Sequence, residues 1–237
     1  METETFPSRR RPLTTERIVT QAIRIADEHG VMGLSMRSLA RSLGFEVMAL
    51  YNHIANKQEL LSRMIDGVAS AITGPPQRLL PLDAVRSIAI STHTALLAHP
   101  WATELWQQHL PGPARTVQME ALLRLLNESG LSAELAHHGF HAVNNHVIGY
   151  TLQEATMVLA GRNTTTNAEE FLAQISAKMH PYMVAHVQQH LSGDSTSSFE
   201  LVLDLILDGL IHLDATPRGS TSAHTSRSPL PPSRAQL

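Results

Sequence analysis

Fourteen histidines are the first residues in this chain whose type suggests chemistry, and eleven of them lie between residues 93 and 212. His137 and His141 stand four apart, as do His186 and His190, a spacing that puts two imidazoles on one helix face where they can share a metal ion. Nothing in the chain completes such a site. It has no cysteine, no HExxH pattern and no carboxylate at an obvious ligand spacing. The histidines therefore read as lining a pocket or a subunit face, with metal sensing as the alternative, and no metal or cofactor is expected. Catalytic patterns are missing too: there is no G-x-S-x-G, no P-loop and no G-x-G-x-x-G. Acid pairs such as Asp204 with Asp208 read as the wet edge of a helix. No catalytic residue is expected, and the chain does not read as an enzyme.

Basic charge is the second resource, and its distribution is uneven. The formal net charge is −3. Between residues 6 and 57 eight basic side chains face four acids, a net of +4, while between 61 and 214 seven face fourteen, a net of −7. A small basic segment on an acidic body implies that only the first part approaches a polyanion. The absence of cysteine fits a reducing compartment. The start, Met1-Glu2-Thr3-Glu4, is acidic and unlike a signal peptide, and no apolar run nears the roughly 20 residues that span a bilayer. A cytoplasmic protein without a membrane partner is expected.

The elements that must position these residues are all helical. Residues 1–12, with Arg9-Arg10-Arg11-Pro12, read as a flexible basic arm, and the Ser, Thr, Pro and Gly of 214–237 as a disordered tail. Between them no run alternates apolar and polar residues. The pattern predicts an all-α fold, with a helix-turn-helix domain over 13–60 and a larger helical ligand-binding and dimerisation domain over 61–213. A first helix runs from the N-cap Thr14 to Gly30 and buries Ile18, Ala22, Ile25 and Ala26. A second follows Ser35 with Met36, Leu39, Ala40 and Leu43 inward, and stops at Gly44. A third covers Val47 to Asn52, and Asn56 with Glu59 boxes a fourth. Further on, Asp83 caps a helix to His99, and Leu110-Pro111-Gly112-Pro113 breaks the chain. Ser132 then caps a long helix to Leu159. Asn167 and Glu170 box a helix that Pro181 interrupts, and Ser197 and Glu200 box the last one.

Two short helices separated by a glycine turn, at Ser35–Leu43 and Val47–Asn52, are what a helix-turn-helix requires. The residues themselves resemble the tetracycline-repressor (TetR) family of bacterial regulators. The match rests on Leu39-Ala40, Leu43-Gly44, Ala49-Leu50-Tyr51, His53, Asn56-Lys57 and Glu59-Leu60, dense over about residues 13–67. The stretch from Phe140 to Gln153 resembles the family's ligand domain more loosely.

The resemblance implies double-stranded operator DNA as a partner. It places Ser35 and Arg37 against the DNA backbone and an adjacent base, and has Tyr51 bond a phosphate while its ring packs under the motif. His53 and Lys57 would also meet phosphate, and Val47, Met48 and Ala49 would face base edges. Two departures matter. Glu46 stands where the family often has a small N-cap residue, and Val47, Met48 and Ala49 carry no hydrogen-bonding side chains, which limits direct readout to apolar contact with thymine methyls. Specificity then leans on Arg37 or on DNA shape, and the basic arm is placed either in a minor groove or in non-specific phosphate attraction.

In the body, Trp106, Met119, Leu122, Phe140, Asn144 and Met157 are candidates for an apolar pocket that takes a small apolar effector, with ordinary core as the alternative. Tetracycline-binding members coordinate magnesium through a histidine and an acid, and here Trp106 and Gln153 fall at those positions, so the resemblance does not extend to that drug. The last helix, Leu201 to Leu213, is apolar nearly all round, with Glu200, Asp204, Asp208 and His212 on one edge. Such a helix needs cover on several sides, and a homodimer through this helix and the long one is expected. The whole reads as a ligand-released repressor gripping a palindromic operator. The alternative is a regulator of the same kind with no small-molecule ligand.

Overall fold

The computed structural model describes residues 12–159, 164–191 and 198–215, except the side chains of 157–159, 164–167 and 190. All but the last residue of the expected basic arm and all but the first two residues of the expected tail lie outside the described residues, as do the side chains of Met157 and His190 and the capping residue Ser197. Eleven helices and no strand are described. The fold is all-α, with the helix-turn-helix at the N-terminal end and a larger helical body behind it.

The first four helices begin where local hydrogen bonding tells them to. α1 (Thr15–Gly33) starts at Thr14, whose hydroxyl accepts from Arg17 N, and breaks at Gly30, which takes φ 70°. α2 (Met36–Leu43) starts at Ser35, which exchanges bonds with Ser38: each hydroxyl accepts from the other's backbone N–H, at 3.0 and 2.9 Å. It ends at Gly44, left-handed at φ 74°, a conformation that costs glycine nothing and other residues about 1 kcal/mol or more. α3 (Val47–Tyr51) follows directly, and its N-cap Glu46 makes no capping bond. That leaves unfilled a position usually worth about 1 kcal/mol. α4 (Lys57–Ser70) opens on Asn56, whose Oδ1 accepts from Glu59 N at 2.9 Å.

The body comprises α5 (Pro81–Ala98), α6 (Pro100–Leu105), α7 (Pro113–Glu128), α8 (Ala133–Leu159), α9 (Thr164–Gln174), α10 (Pro181–Leu191) and α11 (Ser198–Ala215). Two starts differ from the sequence pattern. Asp83 does not cap α5. Pro81 takes the first helical position, where its fixed φ and missing N–H suit it, and Asp83 falls inside the first turn. α9 begins at Thr164, so Asn167 lies within it. Pro181 opens a separate α10 instead of kinking α9.

α1 packs on α2, α4 and α6, and α2 on α3, while α5 packs on α7, α8 and α11. α4 belongs to both groups, because it packs on α1 and also on α5, α6 and α7. The expected domain boundary at 60/61 falls inside it. On α11, Phe199, Leu203, Leu207 and Leu210 turn inward, with Leu203 0 % exposed. Its acidic edge is less solvated than the spacing suggested: Arg86 of α5 donates to Asp204 Oδ1 at 2.6 Å and to Glu200 Oε2 at 2.7 Å, which holds the guanidinium charged well beyond its ordinary range.

Candidate DNA-reading face and effector cavity

Beneath the reading face lies a closed apolar floor. Ile18 and Ala22 of α1, Leu34, Leu39 and Ala40 around α2, and Leu50 and Ile54 around α3 are all buried in one cluster. With its inward residues committed, α3 has only one direction left for the others. Met48 is 71 % exposed, Val47 and Ala49 are half-buried, and Tyr51 is 42 % exposed. The Tyr51 ring therefore does not pack under the motif as expected; the adjacent Leu50 takes the inward position. Ser35, Arg37 and His53 are exposed, and so is Arg41 on α2, a cation that the motif reading did not single out. Leu43 is only half-buried.

Lys57 is the first residue of α4 and is exposed. Unpaired backbone N–H groups at a helix start favour an anion there. Part of that demand is already met. Glu59 reaches back so that Oε2 accepts from Ala55 N at 2.7 Å, while Oε1 accepts from Arg63 Nε at 2.9 Å. The Ala55 amide first, and then Arg63, holds this carboxyl below its ordinary range.

The body encloses a cavity of about 580 Å³ between α5, α7, α8 and the corner joining α6 to α7. Trp106, Met119, Leu122, Phe140 and Asn144, expected in a pocket, all line it. The expectation missed its polar wall: Thr92, His109, Arg115, Gln118 and His141 also line it. Gln118 donates through Nε2 to the Thr92 hydroxyl, which in turn donates to Ile88 O at 2.7 Å. Arg115 is 6 % exposed; its Nη1 donates to Trp106 O at 2.7 Å and His109 O at 3.1 Å, and its guanidinium carbon lies 4.5 Å from the Trp106 ring centre. Burial lowers its pKa while the Asp66 charge works the other way, and a guanidinium starts from a value high enough to stay charged. One signal for these residues was present: Arg115 stands two residues after the Leu110-Pro111-Gly112-Pro113 break, as the only formally charged residue between Glu104 and Glu120.

The same corner grips α4. Asp66 accepts from the backbone N–H of Ala114 at 3.2 Å and of Arg115 at 3.0 Å, and so caps the start of α7 from another helix. Only glycine fits beside it, since a Cβ on residue 112 would stand 2.5 Å from the Asp66 carboxyl. Four residues earlier on α4, Ser62 shares a 3.0 Å hydrogen bond with His109 Nδ1. A second tie joins α1 to the body, where Asp27 Oδ1 accepts from His99 Nδ1 at 2.7 Å and Trp101 Nε1 at 2.6 Å.

Four histidines of the body meet other rings. His93 and His146 sandwich the Phe199 ring, with centroids 4.0 and 4.8 Å away, and His137 meets His141 edge to face at 4.7 Å. Among the described residues no group of three or more His, Asp or Glu side chains is placed to hold a metal ion. No described helix is long and apolar enough to cross a membrane.

Two family models match these two parts. Residues 18–64 match that of bacterial regulatory proteins of the tetR family, and residues 82–213 match the tetracyclin repressor-like C-terminal domain. The chain belongs to the TetR family. It is a DNA-binding transcriptional regulator with a ligand-responsive body, and its curated relatives in this family are transcriptional regulators. The HTH-type transcriptional repressor DrrR1 of Streptomyces coeruleorubidus is 31 % identical over 225 residues, 89 % of this chain and 82 % of that one. ActR of Streptomyces coelicolor, solved in complex with actinorhodin, is 30 % identical over 87 % of this chain and all of that one, with a TM-score of 0.72. BioQ, solved with its natural double-stranded DNA operator, is 25 % identical over 84 % of this chain and 98 % of that one, with a TM-score of 0.61.

Proposed function

We propose that this TetR-family protein is a homodimeric repressor that grips a palindromic operator through α2, α3 and the start of α4, and that an effector in the 580 Å³ cavity releases it. The observation that carries this reading is that the cavity wall and α4, whose start belongs to the DNA-gripping face, share one corner, where His109 and the start of α7 hold Ser62 and Asp66 of α4. Ser35, Arg37, Tyr51, His53 and Lys57 serve as backbone contacts, with Arg37 also reaching a base, and Val47, Met48 and Ala49 face base edges. In this division residues 13–60 read DNA, and residues 61–213 sense and dimerise. Trp106, Met119, Leu122, Phe140 and Asn144 enclose the effector, which is small and rich in apolar surface. ActR, a neighbour solved in complex with actinorhodin and with (S)-DNPA, supports a small-molecule effector. A filled cavity displaces the start of α7, Asp66 transmits the shift to α4, and the heads leave the roughly 34 Å spacing that two half-sites demand.

The dimer face follows from what α11 leaves uncovered. Leu203 and Leu210 are not available to a partner, because they are spent inside the chain against α8, where Leu210 lies over Gly139. Leu201, Val202 and Leu205 lie on the opposite face, with Leu205 63 % exposed. Gly209 has open space beside it and permits a helix to approach closely. Leu205→Glu is expected to yield monomers in sedimentation at micromolar concentration. A dimer that persists in both Leu205→Glu and Leu201→Glu places the interface elsewhere.

Selection from a randomised duplex library tests the function directly. The full chain should retrieve an inverted repeat with half-site centres about one helical turn, or a multiple of it, apart. Retrieval of asymmetric sequences, or of none, rejects the reading. Asp66→Ala should leave effector affinity in place but shrink the mutual weakening of effector and operator, which linkage requires to be equal in both directions.

A further inference from the structure

Arg115 is a buried cation that makes no salt bridge among the described residues. Its side chain is 94 % buried, it lines the cavity, and among the described residues no carboxylate lies within ion-pair distance of it. Asp66, the nearby acid, has both oxygens turned to the backbone amides of Ala114 and Arg115. Of the five N–H groups on the guanidinium, only those on Nη1 have protein partners, the carbonyls of Trp106 and His109. Nε and Nη2 have no hydrogen-bond partner among the described residues and keep some exposed surface, on a side chain that lines the cavity. A buried guanidinium is costly unless something anionic meets it, and its planar fork matches a carboxylate through two parallel hydrogen bonds.

We infer that the cavity is built for an acid: the effector carries a carboxylate, or an equally ionised oxygen pair, that docks on Nε and Nη2 of Arg115 while its ring system lies against Trp106, Met119 and Phe140. This rests on the cavity being the effector site and adds the charge of its occupant. It also places that charge at the corner that holds α4, because Arg115 donates its own backbone N–H to Asp66. An anion drawn onto the guanidinium sits beside the Asp66 carboxylate and repels it, so occupation loosens the grip on α4.

Matched probes separate the two claims. Anthraquinone-2-carboxylate and its neutral partner, anthraquinone-2-carboxamide, have the same rings and differ in charge. Their affinities for the full-length protein can be read from quenching of Trp106 emission, with Trp106→Phe as the control for Trp101. The acid should bind on the order of tenfold to a hundredfold tighter than the amide. Arg115→Met should remove that preference, and Arg115→Lys should keep part of it. Equal binding of the two probes by the unaltered protein overturns the inference and leaves the cavity as the effector site. A preference that survives in a folded Arg115→Met also overturns it. If neither probe quenches Trp106 at millimolar concentration, both the cavity reading and this inference fall.

Discussion

The reading head and the sensing body distribute polar groups in opposite ways. In α1 to α3 the apolar side chains close completely over Leu39 and Leu50, and no residue assigned to DNA is buried. In α5 to α8 the polar groups Thr92, Thr103, Arg115 and Thr151 are buried instead, and a cavity remains open beside two of them. A surface that must match a fixed partner gains from a floor that cannot move, since close-packed cores resist deformation. A sensor gains from the reverse. Unfilled volume and half-satisfied polar groups leave its helices an alternative packing that a ligand can select.

The hardest blow to this contrast is Leu39→Ala. Emptying a fully buried position in so small a core should cost about 2–5 kcal/mol and melt the head first. Operator binding should vanish while thermal stabilisation of the body by cavity ligands persists. If calorimetry shows head and body melting as one transition in this variant, the two regions are one cooperative unit and the contrast is only local.

Within the head, anchoring and reading separate at lower cost. Lys57→Ala should weaken specific and random DNA alike and lower the salt slope by about one for each phosphate that is no longer neutralised. Met48→Ala should leave the slope alone and shift base discrimination by roughly 1–3 kcal/mol. Titrations over several salt concentrations decide between them, and a Lys57 variant that changes base preference would reverse the docking of α3.

The smallest effect belongs to His93. Burial lowers its pKa from the ordinary 6.5, the Glu154 charge opposes this, and His146 adds to it. A folded-state value below the unfolded one means that the unfolded chain binds the proton more readily. The body should therefore hold its full stability above about pH 6.5 and lose part of it as the pH falls from there towards the lowered value. His93→Gln should flatten that part of a plot of denaturation midpoint against pH. A curve unchanged by the substitution shows that other groups carry the acid sensitivity.

Most of the head was legible because its determinants are local. The N-caps Thr14, Ser35 and Asn56 and the turn glycine Gly44 act within three or four residues of themselves, and each stands where the pattern put it. Tyr51 stands one step from the inward Leu50 on a five-residue helix, which leaves it 42 % exposed. In the body, the spacing of Trp106, Met119, Leu122 and Phe140 showed which residues face inward, yet a cavity is an absence of atoms that no pattern records. His109 and Arg115 escaped notice because their roles depend on a chain break folding back onto α4, across 47 residues of sequence in the case of Ser62 and His109. The side of α11 left for a partner was not legible, because an all-round apolar helix does not distinguish the inward Leu203 and Leu210 from the exposed Leu201 and Leu205.

Gly112 matters beyond this one molecule. The Asp66 carboxyl needs the space that a side chain at 112 would fill, so this junction works as a fixed coupling with interchangeable parts on either side. Substitutions that reshape the cavity around Met119 or Phe140 retune what is sensed, and those at Val47 or Met48 retune where the protein binds. Neither set touches Ser62, Asp66, His109 or Gly112. On the proposed function, inputs and outputs can then be exchanged separately while those four positions are kept.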